Sequence, residues 1–97
     1  DLLRDDADAL DQLAEQEFAA HDALSLDVSR LEKLPKAIRT RVLRMAVYAA
    51  GAPPGSLSAD HIAPIEALIT EWSGQGPSDL PGGVRVSRIS GRLSLSR

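Results

Sequence analysis

Between positions 33 and 44 the chain sets five cations, Lys33, Lys36, Arg39, Arg41 and Arg44, with no acid among them. Such a run suits phosphate oxygens, because ammonium and guanidinium groups displace counterions from a polyanion without reading its bases. A solvated helix face has the same composition, and charge alone does not choose between the two. Arg85 and Arg88 stand in an alternating segment near the C terminus. They complete the candidate nucleic-acid contacts as Lys36, Arg39, Arg41, Arg44, Arg85 and Arg88.

Constellations for covalent chemistry are scarce. His21 and His61 each lack a second histidine or a thiol at ligand spacing, and the chain has no cysteine, so no zinc site, disulfide or thiolate nucleophile is expected. No Gly-x-Ser-x-Gly elbow occurs among the serines. The stretch EWSGQGPSDLPGGVRV is rich enough in glycine and proline to suggest a phosphate cradle. It lacks the lysine of a nucleoside triphosphate loop, Asp79 stands where a dinucleotide loop needs its third glycine, and a hairpin follows in place of a helix. It reads as a connector, with Pro81-Gly82 as a type II turn. No catalytic, cofactor or metal residues are expected in this chain.

The elements that must position the cations are three helices and a hairpin. In LLRDDADALDQLAEQEFAAHDAL, Leu3, Ala7, Leu10, Ala14 and Phe18 recur at spacings of four and three, a narrow apolar seam on an acidic helix. LSLDVSRLEKL alternates weakly and reads as a connector with at most a short turn. Pro35 suits the first turn of a second helix, since its missing N–H has no partner there in any case. At about 100° per residue, Ile38, Val42, Met45, Ala46 and Ala49 fall on one side of that helix, with Lys36, Arg39, Arg41 and Arg44 spread over the other. Gly51 is its stop. Ser58 is the N-cap of a third helix with Ile62, Ile65, Leu68, Ile69 and Trp72 as its stripe, in which Pro64 predicts a kink or a broken first turn.

VRVSRISGRLSLSR alternates as a hairpin about Ser90-Gly91, pairing Val86 with Leu95 and Arg88 with Leu93. Two strands are marginal alone, so the valine and leucine side must lie on the helices. The expected fold is therefore mainly α, a small bundle of about three helices with a C-terminal hairpin packed on it. Its parts are an acidic linker or interaction helix over 1–24 and a helical module over 25–97 that ends in the hairpin 83–97.

Ninety-seven residues make one small domain. Its start on Asp1 suggests a piece of something longer. The net charge of −3 hides an asymmetry, ten acids against two bases up to Glu32 and nine bases against four acids from Lys33 onward. That split suits a polyanion-facing part and an acidic part facing elsewhere, or two solvated faces. The three aromatics, Phe18, Tyr48 and Trp72, with Trp72 at a core position, offer no stacking platform for single strands. A structured RNA met through its shape and backbone fits better. No apolar run reaches membrane-helix length and no signal peptide is evident, so a soluble, cytoplasmic chain is expected.

LPKAIRTRVLRMAVYAAG followed by LSADHIAPIEALITEWSGQGPSDLPGGVRVSRISGRLSL resembles the substrate-binding region of bacterial tRNA(Ile)-lysidine synthetases, and LLRDDADALDQLA resembles the helix that leads into it. The resemblance rests on Leu34-Pro35, the Arg39, Arg41 and Arg44 run, His61, Trp72, Gly74-Gln75-Gly76 and Leu80-Pro81-Gly82-Gly83. It implies a parent enzyme that uses ATP to adenylylate a wobble cytidine of isoleucine tRNA before lysine displaces the adenylate. The nucleotide chemistry would belong to an N-terminal domain with a Ser-Gly-Gly-x-Asp-Ser loop, a motif not found here. The implied partners are isoleucine tRNA and that catalytic domain, with ATP bound in the latter and no cofactor in this chain. A competing expectation is a protein interaction module in which the acidic helix pairs with a second copy or another domain.

Overall fold

In the computed structural model, residues 2–97 are described, with side chains from Asp5 onward. Leu3, expected in the seam of the first helix, lies outside the described side chains. The chain folds as α1 (Leu2–Ala19), β1 (Ser25–Asp27), a short α2 (Val28–Leu31), α3 (Lys36–Ala50), α4 (Ala59–Thr70), β2 (Ser78–Leu80), a 3-10 turn (Pro81–Gly83), β3 (Val84–Ile89) and β4 (Arg92–Ser96). The mainly α fold with a C-terminal hairpin is the one observed. Two three-residue strands add to it, making an antiparallel sheet of order β1-β4-β3-β2. They supply the neighbours a lone hairpin lacks.

The hairpin forms in the predicted register, with Val86 opposite Leu95 and Arg88 opposite Leu93. Ser90 and Gly91 both take positive φ, 52° and 75°, as a two-residue turn matched to strand twist requires. Alternation then sends Leu26, Leu80, Val84, Val86, Leu93 and Leu95 to one buried face. Against it pack Val42, Leu43 and Val47 of α3 and Ile62, Ile65, Leu68 and Ile69 of α4, all buried. α1 lies along α3, with Ala14 wholly buried and Phe18 packed on the same core.

α3 ends in a Schellman arrangement: Gly51, at φ 128°, donates to Tyr48 O and Ala52 donates to Val47 O. The α3–α4 connection is pinned by Gly82, whose φ is 80° and at which an added Cβ would sit 2.7 Å from Gly51 O. Its ψ of 11° matches the third position of a type II turn. At the start of α4, Ser58 N–H donates to His61 Nδ1 at 2.9 Å, which assigns His61 to the helix cap. Of the kink or broken first turn expected at Pro64, the broken turn is not found. α4 runs through Pro64 as one helix, one backbone donor short, with the proline exposed.

Candidate nucleic-acid interface

α3 is turned differently from its expected stripe. Its buried residues are Arg39, Val42, Leu43, Ala46 and Val47, an i, i+3, i+4, i+7, i+8 pattern whose first member is charged. Ala49 is exposed, and Ile38 and Met45 are only partly buried. Helix α1 covers the Ile38 side while α4 and the sheet take the Leu43 side, so α3 buries two flanks.

Arg39 therefore faces α4, a correction to its expected place on the polar side. Its Nε donates to both oxygens of Glu66 at 2.9 and 2.8 Å, Nη2 donates to Oε1, and Nη1 donates to Leu34 O at 2.9 Å. The two side chains are 10% and 14% exposed. Hydrogen bonding to Glu66 holds the guanidinium pKa above its ordinary value.

Lys36, Arg39 and Arg44 come together with Thr40, Glu66 and Glu71 on an open groove of about 640 Å³ between α3 and α4. Among the described residues Lys36 is exposed and in no ion pair. Arg44 spends Nη1 on Leu57 O at 2.8 Å and keeps its other donors. Arg39 cancels Glu66, so the groove wall is left with two cations against Glu71.

The other three candidates lie apart. Arg41 turns toward α1, where Nε meets Asp11 at 2.8 Å, and the acidic and basic halves are joined there. Arg85 is on the outer face of the sheet, 2.8 Å from Asp79. Both pairs are open to water, where an ion pair contributes little, so a phosphate can replace the carboxylate. Arg88 is on the inner face at the sheet's end, its Nη1 donating to Leu68 O at 2.8 Å and its guanidinium 4.9 Å from the Trp72 ring centroid.

The glycine-rich stretch closes the end of α4. Gln75 Nε2 donates to Ala67 O and Glu71 O, and its Oε1 accepts from Ser73 N–H at 2.7 Å. Arg88 and Gln75 together satisfy carbonyls at a helix C terminus, the end that repels an anion. Trp72 corrects a second expectation. α4 ends at Thr70, so helical phase no longer governs the indole, which is 43% exposed. The cap by Gln75 was the local signal that could have shown this. Among the described residues no three of His, Asp and Glu are placed to hold a metal ion, and no helix is long and apolar enough to cross a membrane.

Fold and surface define a small, mainly helical domain backed by a four-stranded sheet, presenting cations from both layers. Residues 26–94 match the family described as the TilS substrate binding domain. The chain is 47% identical over 97 residues to a tRNA(Ile)-lysidine synthase of Thermobifida fusca, covering 98% of this chain and 30% of that protein. It is 51% identical over 96 residues to a protein of the same name in Streptomyces coelicolor, covering 97% and 27%. With that of Salinispora arenicola it shares 43% over 96 residues, covering 97% and 29%. This chain belongs to the TilS substrate binding domain family, and it spans about three tenths of the length of the relatives it matches.

Proposed function

We propose that this chain holds and positions isoleucine tRNA for a tRNA(Ile)-lysidine synthase, and makes no bond itself. The observation that carries this reading is its membership in a substrate-binding family over 26–94. The groove cations support it. Lys36 and Arg44 offer donors to phosphates, while Arg41, Arg85 and Arg88 add contacts on neighbouring surfaces. Arg39 acts on the RNA indirectly, by keeping Glu66 from presenting a negative charge along the groove. Holding the tRNA body at a second area lowers the entropic cost of bringing the wobble cytidine to a catalytic domain, where ATP would be bound. A chain with such a substrate would work in the cytoplasm.

The test is a titration with isoleucine tRNA across salt, beside an unrelated tRNA and a Lys36→Gln/Arg44→Gln variant whose melting is checked. Removing one phosphate-binding cation lowers the salt slope by about one, so a drop of about two is expected, with tighter binding of the isoleucine tRNA. An unchanged slope in a folded variant removes the groove from the interface, and no binding by the parent chain defeats the reading.

A second reading, docking of α1 on another protein or a second copy, is favoured by Leu13, which is 48% exposed and shares a groove of about 340 Å³ with Leu34 and Ile38. Light scattering on the chain and on Leu13→Asp separates self-association from it: a monomer in both cases ends the dimer.

A further inference from the structure

We propose that Trp72 and Arg88 form a nucleotide-binding step at the C-terminal end of α4, the indole stacking on an unpaired RNA base and the guanidinium taking the adjoining phosphate. This rests on the substrate-binding reading and deepens it. The α3–α4 groove is lined by α4 as far as Thr70 and by Glu71; Trp72 follows these in sequence, and it and Arg88 lie outside that lining. The cation sits 4.9 Å from the ring centroid and is fixed by Nη1 on Leu68 O, with Nε and Nη2 given no protein acceptor among the described residues. Both groups come from ordered places. Arg88 belongs to a central strand opposite Leu93, and Trp72 follows a helix end closed by Gln75. An exposed indole beside a fixed cation matches a ligand that offers a π-face and a negative charge together, which is what a nucleotide offers. An apolar protein surface would have to bury the Arg88 charge. A second cleft lined by Arg88 also carries Arg92, Asp27 and Glu32; Arg92 is tied to Ser25 Oγ and O at 2.7 and 2.6 Å. On the Trp72 side Glu71 and the α4 C terminus oppose an anion, and the Arg88 guanidinium, which caps Leu68 O, supplies the charge that offsets them.

Trp72 is the chain's single tryptophan, so its emission reports the site directly. Labelled isoleucine tRNA is titrated against the chain across salt while anisotropy reads binding and tryptophan emission reads stacking. Emission is expected to change at saturation, and Trp72→Ala to bind at least about fivefold more weakly by the same factor at every salt concentration, because stacking releases no counterions. Trp72→Phe retains most of the affinity. Arg88→Gln keeps the emission change and lowers the salt slope by about one. If Trp72→Ala does not fold, the parent chain's emission and Trp72→Phe decide. Binding with unchanged emission and equal affinity for the tryptophan variants overturns the stacking site, leaves the ring to a protein partner and spares the substrate-binding reading. Failure of the parent chain to bind tRNA overturns both.

Discussion

Replacing Arg39 with methionine removes four hydrogen bonds and strands the Glu66 carboxylate and Leu34 O. Removing one partner of a buried ion pair costs about 3–5 kcal/mol. Glu66 borders an open groove and is 14% exposed, so water can reach it and the lower figure, about 3 kcal/mol, applies. For a domain of this size, whose whole stability is roughly 5–15 kcal/mol, each kcal/mol moves the melting temperature by about 4–8 °C. Circular dichroism melts of Arg39→Met should fall by about 12–24 °C. Arg39→Met/Glu66→Leu replaces both charges with apolar volume and should recover to within about 1 kcal/mol of the parent chain. A single variant melting within about 4 °C of the parent, or a double variant no more stable than the single, refutes the assignment of Arg39 to the helix interface. The double variant also tests the RNA role. Its tRNA salt slope should stay unchanged, whereas a drop of about one would make Arg39 a phosphate contact.

Gly82→Ala puts a Cβ 2.7 Å from Gly51 O at a φ of 80° and should cost more than about 1 kcal/mol in urea unfolding. Gly76→Ala meets nothing within 4 Å and should be neutral or stabilising by about 0.4–1 kcal/mol where its φ suits alanine; equal effects at the two positions would remove the packing role of Gly82. Glu17 accepts from Arg30 at 2.7 Å and from His21 at 2.6 Å, and its pKa lies below the ordinary value chiefly through Arg30, against burial and with help from His21. The unfolded chain then binds more protons on the acid side, so this contribution is complete above about pH 4.3 and is lost as pH falls through the lower folded value. Glu17→Gln should flatten melting temperature against pH below about pH 4.3, and an unaltered acid limb would dissociate Glu17 from acid stability.

Features set by near neighbours could be read from the sequence. The cap at Ser58, the stop at Gly51 and the Ser90-Gly91 turn with its register each depend on backbone preferences within a few residues. The alternating valines and leucines then fixed which sheet face is buried. Strand β1 carried the same alternation in Leu24, Ser25, Leu26 and Asp27, but three residues pair only when β4, far along the chain, lies beside them. What a cation does was decided by the tertiary structure. Arg39 and Arg44 look equivalent in the sequence, yet packing puts Glu66 against the first and leaves the second on an open wall. Asp11 claims Arg41 across thirty positions for the same reason. Trp72 escaped the core because its helix ended two residues before it. Periodicity states which side of a helix can be buried. The fate of a charge depends on the group facing it in space, and only the assembled helices bring that group within reach.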